Sequence, residues 1–182
     1  NKNLLKLYDT KNTLSVNGLT IKMLNRNEIL INGTSNREHT WVELLYNFQQ
    51  GTNPQKEKII SLNENVKYTL SSNVISGTVS NLNSISFTIQ YQNGEVNTSC
   101  KGSNNFKTTF NNSDGAYRLW FYVSQDVTFN NCVISLQLEK GEVKTGYEPH
   151  KSNKIQLSSI EPLRKWHRFV FKDNKLMIER GS

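Results

Sequence analysis

One short segment carries alternating side chains that could bind a ligand. Arg118, Trp120 and Tyr122 occupy every second position, so a β-strand would present all three on one face. Aromatic rings stack against the C–H groups of sugars, and neighbouring polar groups bind the hydroxyls. The intervening Leu119 and Phe121 are apolar and would face a core. This pattern predicts a sugar-binding strand with one ligand-facing side.

Two other segments could extend this platform. The run from Ile85 to Tyr91 alternates, with Ser86, Thr88 and Gln90 on its polar side. Residues 40–48 fit a helical stripe or a strand, and the surrounding turns favour a strand. The candidate ligand-binding residues are Trp120, Tyr122, Arg118, Gln90, Thr88, Trp41, Glu43 and Asn47. The alternative remains that a loop or a second copy covers the rings, or that they lie within a thick sandwich.

The elements that would position these residues are short strands. The chain has 25 Asn and a single alanine, Ala116, a composition that disfavours helices and favours strands joined by turns. Asn17-Gly18 and Asn32-Gly33 predict two tight hairpins. Separate strands are predicted at 66–70 and 74–79, and again at 127–129 and 133–138. We expect ten to twelve strands in all, the even spacing typical of an antiparallel sandwich or barrel.

Motifs for other kinds of chemistry are missing. The sequence has no Gly-x-Ser-x-Gly and no Gly-rich phosphate loop, and His39, His150 and His167 share no metal-ligand spacing. We therefore predict a protein that is not an enzyme, although carboxylates brought together by folding remain an alternative. No cofactor is required. Asp9 and Glu139, near the predicted terminal strands, could contribute oxygen ligands to a structural calcium ion.

The distribution of charge and of apolar residues limits the kinds of partner that the protein can bind. The net charge is +7, but residues 140–182 hold ten Lys and Arg against five Asp and Glu, so the main body is nearly balanced. Without a basic stripe there, we predict no nucleic-acid site. No apolar run approaches the roughly 20 residues that cross a bilayer, so we predict no membrane insertion. Cys100 and Cys132 are expected to be unpaired thiols, although folding could bring them together.

The segments 137–141 (QLEKG) and 145–149 (TGYEP) carry a resemblance to a known family. They resemble the Q-L-E-x-G…T-x-Y-E-P signature that closes jelly-roll, carbohydrate-binding-module-like domains in tail proteins of bacteriophages infecting Gram-positive bacteria. The similarity extends back through residues 67–71 and 31–34 to 3–5. It therefore covers about residues 1–150.

The resemblance implies an all-β, two-sheet antiparallel β-sandwich (jelly roll) at residues 1–150. A connector and β-hairpin at 151–182 would lead to a neighbouring module, and the start at Asn1 without Met suggests an excised piece of a longer chain. Leu136 and Leu138 would fill the core, Gly141 would allow a turn, and Tyr147 would pack against the first strand.

The implied function is a non-catalytic glycan-binding and adhesion module of a phage tail or receptor-binding protein. It would be assembled in the host cytoplasm, carried in the virion and attached to host cell-wall polysaccharide or teichoic acid. Other tail-protein domains are the further partners, and the parent tail component would be a homotrimer. The alternative is a structural spacer or trimerisation domain with no soluble ligand.

Overall fold

The computed structural model describes residues 3–8, 11–51, 59–63, 66–91, 96–101, 106–112, 115–148, 168–172 and 175–179. For residues 91–117 and 168–179 within these ranges, the backbone alone is described. The chain divides into two compact units, Asn1–Lys151 and Ser152–Ser182. Within the described residues, no helix is long and apolar enough to cross a membrane.

Six strands of the first unit form one antiparallel sheet, called sheet A. They are β1 (Thr13–Val16), β2 (Leu19–Met23), β3 (Glu28–Thr34), β7 (Val66–Val79), β10 (Phe106–Asn112) and β12 (Thr128–Lys140). Their order across the sheet is β1-β2-β3-β12-β7-β10. The long strand β12 therefore lies at the centre, paired with β3 on one side and β7 on the other.

Six more strands form the second antiparallel sheet, sheet B. They are β4 (His39–Glu43), β5 (Gln49–Gln50), β6 (Ile60–Ser61), β8 (Ile85–Tyr91), β9 (Val96–Lys101) and β11 (Gly115–Ser124). The order is β5-β4-β11-β8-β9, and β6 also pairs with β11. Strand β11, which carries the predicted platform, is thus flanked by β4 and β8.

The two sheets pack through the apolar sides of their alternating strands. Leu119, Phe121 and Val123 of β11 are fully buried, as the period-two pattern predicted. Phe121 stacks on Phe87 of β8 and meets Phe129 of sheet A edge-on, with ring centroids 6.1 Å apart. Leu136 and Leu138 are also fully buried, as predicted. The all-β, two-sheet antiparallel sandwich is therefore confirmed.

The start of the described chain completes sheet A. Beyond Ser135, β12 is no longer paired with β3, and the amide of Leu4 donates instead to the carbonyl of Leu138 at 2.8 Å. The buried Asn3 side chain holds this arrangement, since its Oδ1 accepts from the amides of Leu5 and Leu138. The N-terminal segment thus takes the place that β3 leaves beside β12.

One of the two Asn-Gly hairpins is confirmed and the other is wrong. Asn17-Gly18 joins β1 to β2, with positive φ at both residues. Strand β3, however, runs straight through Asn32-Gly33 to Thr34. A Cβ at Gly33 would stand 2.2 Å from the carbonyl oxygen of Gly18. Glycine is needed there because two backbones approach closely.

Two predicted gaps between strands are absent. Residues 66–79 form one 14-residue strand and residues 128–140 form one 13-residue strand. These two strands, β7 and β12, stay paired with each other through shifts in register. Asn131, with φ +44°, lies where β12 bulges, and Gly77 of β7 has φ +72°. The turn-forming residues that suggested gaps therefore mark β-bulges. Strand β9 was not predicted, because its Asn, Thr and Ser lack an apolar alternation.

The prediction of one strand over residues 40–48 is wrong past Glu43. The Glu43 carboxylate accepts hydrogen bonds from the amides of Leu45 and Tyr46, which bends the chain out of the sheet. Leu44 and Leu45 are both buried in the turn, whereas Tyr46 is 41% exposed. The chain then reverses direction, and the short β5 pairs antiparallel with β4.

Cys132 is a free thiol at the core side of β12, fully buried. Burial raises the pKa of this thiol to about 11, so it stays protonated at neutral pH. The expectation of an unpaired thiol is confirmed for Cys132. The side chain of Cys100 lies outside what the structure describes.

The second unit contains one antiparallel hairpin, β13 (Arg168–Lys172) and β14 (Lys175–Glu179). Lys172 pairs with Lys175 next to the turn, and Arg168 pairs with Glu179 at the open end. The predicted hairpin around residues 173–174 thus has its two strands where the sequence indicated.

Candidate functional site

Three neighbouring strands of sheet B bring seven of the eight predicted ligand-binding residues, all except Asn47, together on the side facing away from the core. Trp120 of β11 lies between Glu43 and Thr88, and Tyr122 lies between Trp41 and Ser86. One row further, Arg118 lies opposite Gln90. Directly opposite residues of antiparallel strands share a face. We call these eight residues the aromatic face: Trp41, Glu43, Ser86, Thr88, Gln90, Arg118, Trp120 and Tyr122.

The large rings of this face touch one another. Trp41 meets Trp120 edge-on at a centroid distance of 5.6 Å and lies 4.6 Å from Tyr122. The Arg118 guanidinium stands 4.6 Å from the centre of the Trp120 ring, a cation–π geometry. A ligand must therefore stack on Trp41 or on the side of Trp120 that Arg118 leaves uncovered.

Beneath the rings, Arg118 and Glu43 form a buried ion pair. Arg118 Nε donates to Glu43 Oε2 at 3.1 Å, and the two residues are only 4% and 2% exposed. Glu43 Oε1 also accepts from the amide of Leu119 at 3.2 Å, besides the two amides of the following turn. Both charged groups therefore bind within the protein, and neither Glu43 oxygen is left for a sugar hydroxyl.

Three other polar atoms in this region are buried without a hydrogen-bond partner. They are Gln90 Oε1, Trp120 Nε1 and Asn47 Oδ1. Asn47 follows the turn after β4 rather than lying on a strand, but it precedes Gln49, which pairs with Glu43. An orphaned buried polar atom costs about 1–3 kcal/mol, so these atoms indicate a missing partner. All three residues belong to the predicted set.

Sequence reasoning missed His39 and Ser124 at one end of the face. His39 Nδ1 lies 2.8 Å from the Tyr122 hydroxyl, which lies 3.1 Å from Ser124 Oγ. These contacts fix the orientation of Tyr122. The signal that could have found His39 is its position two residues before Trp41, which places both residues on the same strand face.

The QLEKG…TGYE motif lies on the opposite side of the sandwich, on sheet A. Residues 141–148, called the closing strap, fold back over β12. Gln137 Oε1 accepts from the amide of Glu148 at 2.8 Å, and the Glu139 carboxylate accepts from the amide and hydroxyl of Thr145. Gln137 and Glu139 are 2% and 3% exposed. The motif therefore binds the chain to itself.

Tyr147 binds the C-terminal end of the closing strap to strand β3. Its hydroxyl donates to Glu28 Oε1 on β3 at 2.9 Å. Burial, then the hydrogen bond to Glu28 and its negative charge, raise the pKa of Tyr147 well above its ordinary value. Nearer β12, Lys144 Nζ donates to Asn73 Oδ1 on β7 at 2.8 Å. Gly141 begins the strap with φ +110°, the turn predicted for it.

The residues suggested for calcium were tested against this geometry. Both oxygens of Glu139 accept hydrogen bonds from Thr145, which leaves a metal ion poor access to them. Asp9 lies outside the described residues, so the pair stays a prediction. Across the part of the chain that the structure describes, no three His, Cys, Asp or Glu side chains cluster as metal ligands would.

Comparison with known proteins adds no relative: no family model matches the chain, and neither a curated protein nor a solved structure does. The function must therefore be inferred from the aromatic face of sheet B and from the outer face of sheet A, which the closing strap covers.

Proposed function

We propose that this protein is a non-catalytic glycan-binding module of a phage tail or receptor-binding protein, attaching the virion to host cell-wall polysaccharide. The observation that carries the proposal is the aromatic face, where rings in contact with one another share the sheet surface with buried polar atoms that have no partner. Sugars supply what such a face lacks, because they combine apolar C–H surfaces with hydroxyl groups that both donate and accept.

The jelly-roll assignment is part of the proposal. Its support is the strand order: β3, β12, β7 and β10 are neighbours in sheet A, and β4, β11, β8 and β9 in sheet B. The successive strands β3 and β4, β7 and β8, and β11 and β12 lie in opposite sheets. This arrangement is the one expected for the eight strands of a double-sheet jelly roll, and it supports the assignment.

The second candidate is a structural spacer or trimerisation domain of the tail. It is favoured by the half-buried rings of Trp41, Trp120 and Tyr122, which a second copy of the chain could cover. This reading predicts a stable oligomer that shields the tryptophans and shows no retention on host walls. Tryptophan fluorescence of a Trp166→Phe variant, in which only Trp41 and Trp120 emit, separates the two candidate functions when it is measured across a dilution series.

Binding to purified Gram-positive walls and to a glycan array tests the proposal. We expect Trp120→Ala to weaken binding at least tenfold, because the stacking of the sugar C–H groups on the indole ring and the Nε1 donor are both lost. The matched control is Ile75→Ala, which truncates a half-exposed apolar residue on β7 of the other sheet. Equal binding by wild type and Trp120→Ala would remove the aromatic face as the site.

A further inference from the structure

Resting on the function proposed above, we propose that the aromatic face takes an uncharged, hydroxyl-bearing sugar residue and not the phosphodiester backbone of teichoic acid. Neutral polysaccharides and teichoic acids both occur in the walls of Gram-positive bacteria, and the family resemblance does not indicate which of them is bound. The unpartnered hydrogen-bonding atoms and the charge of the aromatic face distinguish the two ligands.

The unpartnered atoms are two acceptors and one donor. Gln90 Oε1 and Asn47 Oδ1 need a donor, and Trp120 Nε1 needs an acceptor. A hydroxyl group can do both at once. A phosphodiester oxygen only accepts, so a phosphate group at this position would leave both amide oxygens unsatisfied. A glycerol hydroxyl of the same backbone could donate to them, but the phosphates on either side of it would bring negative charge beside the amide oxygens.

The positions of Gln90 and Trp120 allow one hydroxyl to serve both. Gln90 lies opposite Arg118, and Trp120 lies opposite Thr88, so the two residues are diagonal neighbours on paired strands. Diagonal neighbours have Cα atoms about 7–8 Å apart, within reach of long side chains. A sugar hydroxyl between them accepts from the indole and donates to the amide.

The electrostatics of the face point the same way. Among its eight residues the charged ones are Arg118 and Glu43, and they neutralise each other in a buried pair. An anion would need a cation that is still available, as arginine clusters provide in phosphate sites. By backbone register, Lys101 of β9 lies opposite Ser86, two rows of residues away from Gln90. This lysine is therefore not a direct neighbour of the unpartnered amide of Gln90. A neutral ligand needs no such cation.

The test uses two immobilised probes: an array of neutral wall oligosaccharides, and poly(glycerol phosphate). Wild type is compared with Trp120→Phe, which keeps a ring but removes the indole donor, and with Gln90→Leu, which removes the acceptor at similar volume. We expect each variant to bind the neutral sugar about tenfold more weakly, the loss of one hydrogen bond in a dry site. Raising the salt from about 50 to 500 mM should change neutral-sugar binding less than twofold, because no exposed ion pair is involved.

The outcomes separate the two proposals. Binding to the neutral array that both variants weaken supports the inference. Binding to poly(glycerol phosphate) that Trp120→Ala abolishes and salt weakens overturns the inference, and it leaves attachment to the host wall through the aromatic face standing. Neutral-sugar binding that Gln90→Leu leaves unchanged also overturns the inference, since the amide acceptor then has no role. Failure to bind either probe or host walls overturns the proposed function itself.

Discussion

The two outer faces of the sandwich both bury polar side chains, and they differ in where the hydrogen-bond partners come from. On sheet A, Gln137 and Glu139 bind the amides and hydroxyl of the closing strap. On sheet B, Gln90 Oε1 and Trp120 Nε1 are equally buried but have no partner within the protein. A face whose polar atoms are satisfied by its own chain serves stability, whereas a face that leaves them open can serve binding.

The comparison also reassigns residues within sheet B. Glu43 and Arg118 looked like ligand-binding groups in the sequence, but their contacts resemble those of sheet A, because they bind each other and the backbone. The predicted residues that remain in the proposed site are Trp41, Asn47, Thr88, Gln90, Trp120 and Tyr122. Three expected outcomes test this division.

The largest effect is expected for Glu43→Ala. This change leaves the Arg118 guanidinium buried without its carboxylate and removes the acceptor of three backbone amides. Breaking a buried pair in this way costs about 3–5 kcal/mol of the free energy of unfolding. Urea denaturation measures it. The control is Glu142→Ala, which breaks the exposed ion pair with Lys67 and should cost less than about 1 kcal/mol. Similar losses for both variants would refute a structural role for Glu43.

A matched pair of glutamines probes the comparison directly. Gln137→Leu removes the acceptor of the Glu148 amide and two weaker contacts to the strap, so the free energy of unfolding should fall by about 1–3 kcal/mol. Gln90→Leu removes an acceptor that has no partner, so stability should hold or rise, within about 0.5 kcal/mol. Thermal unfolding without ligand measures both. An equal loss at Gln90 would show that its amide oxygen is satisfied within the protein.

A smaller loss than for Glu43→Ala is expected for Tyr147→Phe, which removes the hydrogen bond to Glu28. At neutral pH the variant should lose about 1 kcal/mol of stability. Because folding raises the pKa of Tyr147, the unfolded chain ionises this phenol first once the pH exceeds about 10. The stabilisation is therefore complete below that pH and is lost above it. Denaturation from pH 8 to 11 should show the difference between wild type and variant shrinking; a constant difference would contradict the assigned contact.

Much of the fold could be predicted from local pattern. The Asn17-Gly18 turn, the absence of long helices among the described residues and the two sides of β11 all follow from residue type and period-two alternation. Predictions failed where a residue with turn propensity meets a distant backbone. Gly33 lies against Gly18, and Gly77 lies against the carbonyl of Asn131, so glycine marks a close approach and not a chain reversal.

The residues of the candidate site could be collected from the sequence, because alternation shows which side chains share a strand face. The residues that lie beside them on neighbouring strands could not be predicted from the sequence. That β11 lies between β4 and β8 depends on pairing between residues 25 or more positions apart in the chain, which local pattern does not encode. Only that pairing places Gln90 beside Arg118 and Trp120 beside Thr88.

The sequence by itself determined that the chain forms alternating strands and which side chains of β11 face away from the core, because both depend on covalent geometry that repeats every two residues. The tertiary structure alone decided which polar groups are already satisfied. Glu43 and Glu139 are both acidic residues on polar strand faces, and their partners lie on segments that only folding brings into contact or into a turn. Hydrogen-bond satisfaction depends on those contacts, so it separates the structural face from the proposed binding face.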